Sequence, residues 1–143
     1  MFTAEGAESA EELRGKPLMK INDITREIVD SSIKVHSALG PGLLESAYKA
    51  CLVHELRKRG LAVLTEIPVP IVYDGVVVDV GYRMDLLVES AVVVEVKAIR
   101  QLSPVHDAQL LSHLVLSGHK VGLLVNFHVR FLKHGIRRLV NNL

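Results

Sequence analysis

Asp85, Glu95 and Lys97 are the residues whose types and spacing can do chemistry together in this chain. Carboxylate oxygens are the ligands that a small hard cation such as magnesium or manganese prefers. A lysine beside such a cation can fix an attacking water or neutralise charge developing on a phosphate. Side chains alternate along a strand, so Glu95 and Lys97 share a face with Val93, and Asp85 shares one with Arg83 and Leu87. With the intervening turn centred on Ser90, Asp85 stands directly across from Glu95. Opposed residues of an antiparallel pair have Cβ atoms roughly 4.5–5.5 Å apart, which lets two carboxylates hold one cation and makes them repel without it.

A Glu-x-Lys triplet is also what an ordinary wetted strand face shows. Here Glu95 is set among Val92, Val93, Val94 and Val96, so its face is not simply solvent. The next helix carries Gln109 and His113 at i and i+4, on one face where they would meet a phosphate or the water shell of a metal. Together with Arg100 they are the candidate substrate contacts. Glu45 supplies a third acid. At 100° per residue it projects between Leu52 and Leu56, inside the apolar stripe of the second helix, where a carboxylate needs a partner. That stripe is expected to cover the sheet face presenting Asp85 and Glu95, which would aim Glu45 at the cation; Lys49 at i+4 is the competing partner.

The elements that must position these residues follow from periodicity. Ile24, Ile28, Ser31, Val35 and Leu39 recur at helical spacing behind the N-cap candidates Asn22 and Asp23, and Gly40-Pro41-Gly42 ends that helix. A second helix is expected over 43–59, with Gly60 as its stop. Pro68 and Pro70 make 67–73 an edge strand, and Asp74-Gly75 is a hairpin signal. Strands over 81–88 and 92–97 flank a turn near Glu89-Ser90. Ser103-Pro104 opens a helix that stops at Gly118, 121–127 reads as a buried strand, and 131–140 reads as a closing amphipathic helix. The order is α-α-β-β-β-α-β-α.

At 143 residues and 49% hydrophobic content, the chain is sized for one domain, placed at 21–143 behind an acidic extension over 1–20 that is expected to be mobile. A net charge of +1 excludes a strongly basic protein that wraps nucleic acid on all sides. Basic residues do gather after Lys97, a weak pointer to a polyanionic partner or simply a solvated helix face at 130–138. Cys51 is the only cysteine, which excludes an intrachain disulfide and thiolate metal sites; its apolar neighbours suggest a core position. No segment reaches the ~18 apolar residues that span a bilayer, and a cytoplasmic setting without membrane contact is expected. His36 reads as a packing histidine, and His106 divides between capping its helix and serving the site.

The string Gly-Pro-Gly-Leu-Leu-Glu-Ser-Ala-Tyr, with Gly42, Glu45 and Tyr48, resembles the signature of the GxxExxY proteins of the PD-(D/E)XK nuclease superfamily. The resemblance runs from about Ile21 to the C-terminus through Tyr82-Arg83-Met84-Asp85-Leu86, Val94-Glu95-Val96-Lys97-Ala98 and Leu102-Ser103-Pro104-Val105-His106 with Gln109-Leu110-Leu111. It implies an α/β fold with a mixed four-stranded sheet flanked by helices. It also implies metal ligation by Asp85 and Glu95 with Glu45 from the leading helix, and Lys97 as the catalytic lysine. Gln109 matches a glutamine of some superfamily exonucleases; a tyrosine usually follows four residues on, where this chain has His113. The implied activity is magnesium- or manganese-dependent cleavage of nucleic acid, DNA in preference to RNA, with any strong sequence specificity left to a second copy or a partner protein. A non-catalytic scaffold of the same fold and a hydrolase of another phosphodiester are the rival readings.

Overall fold

The computed structural model describes residues 19–142. The expected mobile extension therefore lies outside the described residues except for Met19 and Lys20. Helix α1 (Ile21–Leu39) starts one residue before the expected caps, with Lys20 in the N-cap position. It stops where Gly40 adopts φ 69° and returns its N–H to the His36 carbonyl. Helix α2 (Glu45–Lys58) follows. Five strands, β1 (Val63–Pro68), β4 (Arg83–Val88), β5 (Val92–Lys97), β6 (Val121–Asn126) and β7 (Ile136–Val140), form one sheet in the order β1-β4-β5-β6-β7. Only β5 and β6 run parallel, joined through helix α3 (Pro104–Ser117). The hairpin of β2 (Ile71–Tyr73) and β3 (Val76–Val78) stands apart as its own small sheet. Asp74 and Gly75 make its turn, both at positive φ, as the sequence led us to expect.

The sheet separates two cores. On one side Ile24, Ile28 and Val35 of α1 and Tyr48, Leu52 and Leu56 of α2 pack on Leu86, Val88, Val92, Val94, Val96, Leu123 and Val125. On the other, Leu110 and Leu114 of α3 pack on Met84, Leu87, Val93 and Leu124. Each of those two leucines is fully buried, worth about 1.5–3 kcal/mol of docking. Strands β5 and β6, apolar on both faces because both are covered, read in sequence as near-continuous valine and leucine runs.

Four expectations need correction. The segment 131–140 is a short 3-10 turn (Leu132–Gly135) followed by a strand, so the main sheet has five strands rather than four. Ile136 and Leu139 fit a helical face, yet they also fall on opposite sides of a strand, Ile136 toward the α1/α2 core and Leu139 toward the α3 core. Pairing with β7 also gives the outer backbone groups of β6 their partners, which a packed helix would leave unmet. The expected edge strand at 67–73 is instead the end of β1 and the start of the hairpin, divided near Val69, whose N–H bonds the Tyr82 carbonyl. The sheet face of Asp85 and Glu95 is covered by α3, not by α2, because that face is the one carrying Leu87 and Val93. Cys51 is exposed, since the buried stripe of α2 is Tyr48, Leu52, Glu55 and Leu56.

Candidate active site

The strands that carry the acids are set by their turn. Glu89 and Ser90, both at φ 53°, close a tight connection and fix the register Val88↔Val92, Leu87↔Val93, Leu86↔Val94. Continuing that register puts Asp85 opposite Glu95, but the ladder ends at Leu86. Beyond it the Val96 N–H donates to Asp85 Oδ2 at 2.8 Å, so a side chain supplies the acceptor that a continued ladder would have drawn from backbone. The strands part here, and a cleft of about 630 Å³ opens over Asp85, Glu95, Lys97, Gln109 and His113, with Glu45 at its edge.

Glu95 is buried beneath α3 and meets His113 Nδ1 at 3.1 Å. Burial pushes its carboxyl above the ordinary carboxylate range. The His113 hydrogen bond opposes this, and Asp85, near enough to share a hydrogen bond with Glu95, adds to it. Two neighbouring acids, one of them buried, disfavour each other's charged form, a condition that a hard cation relieves. Among the described residues, no group of three carboxylate, imidazole or thiol side chains converges as it stands to hold a metal ion. Asp85 and Glu95 could offer two carboxylates, a donor chemistry that suits magnesium or manganese, which keep several waters. Glu45 lines the same cleft.

Glu45 begins α2 and is exposed, not enclosed in the apolar stripe. Its carboxyl end nevertheless reaches the cleft. Partial desolvation first, then Asp85, raises its pKa, while Lys97 and Lys49 pull it down. The carboxylate that the stripe does bury is Glu55, held by Arg59 Nε at 3.0 Å and Lys34 Nζ at 3.4 Å, and the Arg59 hydrogen bond lowers its pKa. Lys49 pairs with Glu66 and approaches Asp85 Oδ1 at 3.5 Å rather than pairing with Glu45.

Glu66 was not foreseen as a neighbour of the site. It sits in β1 between the pairs Thr65↔Leu86 and Ile67↔Met84, beside Asp85, with φ 52°. Left-handed backbone at a non-glycine residue inside a strand costs about 1–3 kcal/mol. Strand parity would have found Glu66 once β1 was placed, and Lys49 lies one turn along α2 from Glu45.

Tyr48 has a role that its sequence context did not disclose. Its ring is fully buried and stacks on Phe127, with centroids 4.6 Å apart and planes 7° from parallel. Its hydroxyl donates to the Gly40 carbonyl at 2.5 Å and accepts from the Leu43 N–H at 3.0 Å. The loop ahead of α2, where Gly42 needs φ 102°, is thereby tied to the core, and Glu45 starts from a fixed point.

Gln109 and His113 line the cleft from α3, but Arg100 does not; the Asn126 side chain pins Ile99 by accepting its N–H at 3.1 Å and donating to its carbonyl at 2.9 Å, and Arg100 is exposed beyond that anchor. His106 caps α3 by accepting the Ser103 N–H at 2.9 Å. His36 is buried with Nε2 2.7 Å from the Val129 carbonyl, a packing histidine as expected. The basic tail is no free helix face: Arg137 pairs with Asp107 at 2.6 Å, and Arg138 reaches Asn22 at 3.3 Å. No helix among the described residues is long and apolar enough to cross a membrane.

Compared with known families, residues 22–139 match the model for the PD-(D/E)XK nuclease superfamily. Comparisons with curated proteins and with solved structures find no match.

Proposed function

We propose, from the premise that the chain belongs to the PD-(D/E)XK nuclease superfamily, that it is an active magnesium- or manganese-dependent nuclease, with DNA as the preferred substrate. Within the superfamily we place it among the GxxExxY proteins, on Gly42, Glu45 and Tyr48. The observation that carries the reading is the pairing of Asp85 with a buried Glu95 of raised pKa on the floor of an open cleft, with Lys97 lining the same cleft.

When bound between Asp85 and Glu95, the ion supplies Lewis-acid polarisation of the scissile phosphate. The remaining roles belong to the chain itself. His113 holds the Glu95 carboxylate in place through its 3.1 Å contact. The Val96 N–H does the same for Asp85. Lys97 neutralises charge as it grows on the phosphate oxygens, an interaction stronger in the transition state than in the ground state. Glu45 acts at one remove, by ordering water at the mouth of the cleft, and Gln109 contacts the substrate from α3.

The test is a cleavage assay over single-stranded, duplex and branched DNA and RNA with magnesium, manganese or chelator. Metal-dependent cleavage that disappears in Asp85→Asn is the expected result. Absence of cleavage on every substrate, or activity unchanged in Asp85→Asn, would overturn the proposal and favour a non-catalytic protein that keeps the fold.

A further inference from the structure

The walls of the cleft differ in character from its floor. The less exposed lining is Asp85, Glu95 and Lys97, while Tyr82, Val105 and Leu116 line the cleft with exposed apolar or aromatic surface. Among the described residues, the basic side chains lining the cleft apart from His113 are Lys97 and Arg83. A surface that grips a duplex neutralises a succession of phosphates on both strands, and two fixed cations beside an apolar rim do not provide that. Apolar and aromatic walls instead suit the faces of bases that have left their stack.

Tyr82 is the aromatic residue placed to use this. The other described aromatic residues stand elsewhere: Tyr48 and Phe127 are buried in the core, Tyr73 is in the β2–β3 hairpin, and Phe131 borders a separate groove near His36. Tyr82 is 51% exposed and lines the cleft beside Asp85, its ring centroid 6.3 Å from that of His113 at 50°. The backbone at Tyr82 is anchored through its carbonyl, which accepts the Val69 N–H at 2.9 Å and Arg83 Nη1 at 3.0 Å. An aromatic ring on an anchored backbone, open to solvent and lining the same cleft as the acid pair, is a surface on which a base can stack.

We infer that Tyr82 forms a subsite for one unpaired nucleobase at the mouth of the cleft, so that the protein takes single-stranded nucleic acid in preference to duplex. The inference rests on the nuclease reading for its substrate class, and Arg83 supplies the adjacent phosphate contact. Stacking on an aromatic side chain is tolerant of base identity, so the subsite selects unpaired strands rather than a sequence.

The experiment measures binding apart from turnover. A short single-stranded oligodeoxynucleotide carrying 2-aminopurine, and the same strand annealed to its complement, are titrated with the full chain in a Lys97→Ala background with magnesium present. Fluorescence quenching reports stacking. Tyr82→Phe is expected to keep affinity and quenching, and Tyr82→Ala to lose the quenching and bind the single strand roughly ten- to hundredfold more weakly. Duplex is expected to bind less tightly than single strand and to be insensitive to either substitution. Equal binding of duplex and single strand, or unchanged binding by Tyr82→Ala, would overturn the subsite. An active chain whose Tyr82→Ala variant binds single strands normally would sink the subsite alone. A chain that cleaves nothing, yet binds the single strand through Tyr82, would sink the nuclease reading and leave the subsite standing.

Discussion

Replacing Tyr48 by phenylalanine removes a single oxygen and leaves the ring stacked on Phe127, so no cavity forms and the loss is that of two hydrogen bonds. One runs to the Gly40 carbonyl at 2.5 Å and one comes from the Leu43 N–H at 3.0 Å. A typical intramolecular hydrogen bond contributes about 0.5–1.5 kcal/mol net, and a buried group left unmet costs about 1–3 kcal/mol. Leu43 is 44% exposed, so water can reach its amide and the lower part of that range applies there. The sum is about 2 kcal/mol. For a chain of this length that corresponds to a fall in Tm of roughly 6–8 °C, with a lower urea midpoint and an unchanged m-value. Because Gly42 at φ 102° belongs to the same loop, Gly42→Ala combined with Tyr48→Phe is expected to be non-additive. The metal-dependent cleavage rate is expected to fall as well, since the loop sets where Glu45 begins. A Tyr48→Phe variant whose urea midpoint matches the wild type would refute the argument that the hydroxyl anchors this loop.

Lys97→Ala is expected to abolish cleavage while leaving the melting temperature and manganese binding by calorimetry close to wild type; wild-type turnover would remove the lysine from the chemistry. Glu95 carries a raised pKa, so the folded chain holds a proton that the unfolded chain has released, and metal-free stability falls as pH climbs from the ordinary value of 4.5 through the raised one. In chelator, Glu95→Gln is therefore expected to melt above the wild type at pH 8 and level with it at pH 4, and a variant that melts lower at pH 8 would contradict the assigned cause. A Cβ on Gly135 would clash with the Asn126 backbone carbonyl oxygen, whereas one on Gly122 would press on the Leu110 side chain, whose nearest methyl is 2.9 Å away. Gly135→Ala is expected to cost about 1–3 kcal/mol or more in chemical denaturation and Gly122→Ala less, an order that reversal would disprove.

The acid pair was legible because it depends on short-range rules. Alternation along β4 and β5 and a tight turn at Glu89-Ser90 are enough to oppose Asp85 and Glu95. The opening of α3 at Ser103-Pro104 was equally local. What sequence did not disclose is tertiary. Ile136, Leu139 and Val140 fit a helix and a strand alike, and only the unpaired edge of β6 decides between them. Which layer of helices lies over which sheet face is not encoded by periodicity, so Glu45 was given the right neighbourhood for the wrong reason: it arrives from the opposite layer, at the first turn of α2. Glu66 and Lys49 required knowing that β1 lies beside β4.

The hydrogen bond from the Val96 amide to Asp85 ties the acid pair to the integrity of the sheet. Asp85 gives Oδ2 to the backbone and has Lys49 Nζ 3.5 Å from Oδ1, so anything that enters the cleft and binds Asp85 at Oδ1 competes with that lysine. Asparagine at this position can still accept from the amide, but alanine would leave that N–H without its acceptor where the strands part. The two substitutions therefore perturb different things, charge in the first case and strand pairing in the second. It also makes the Val96 amide a spectroscopic witness: its proton lies next to the reacting centre, and its chemical shift and exchange rate should register events at Asp85 that no distant probe would sense.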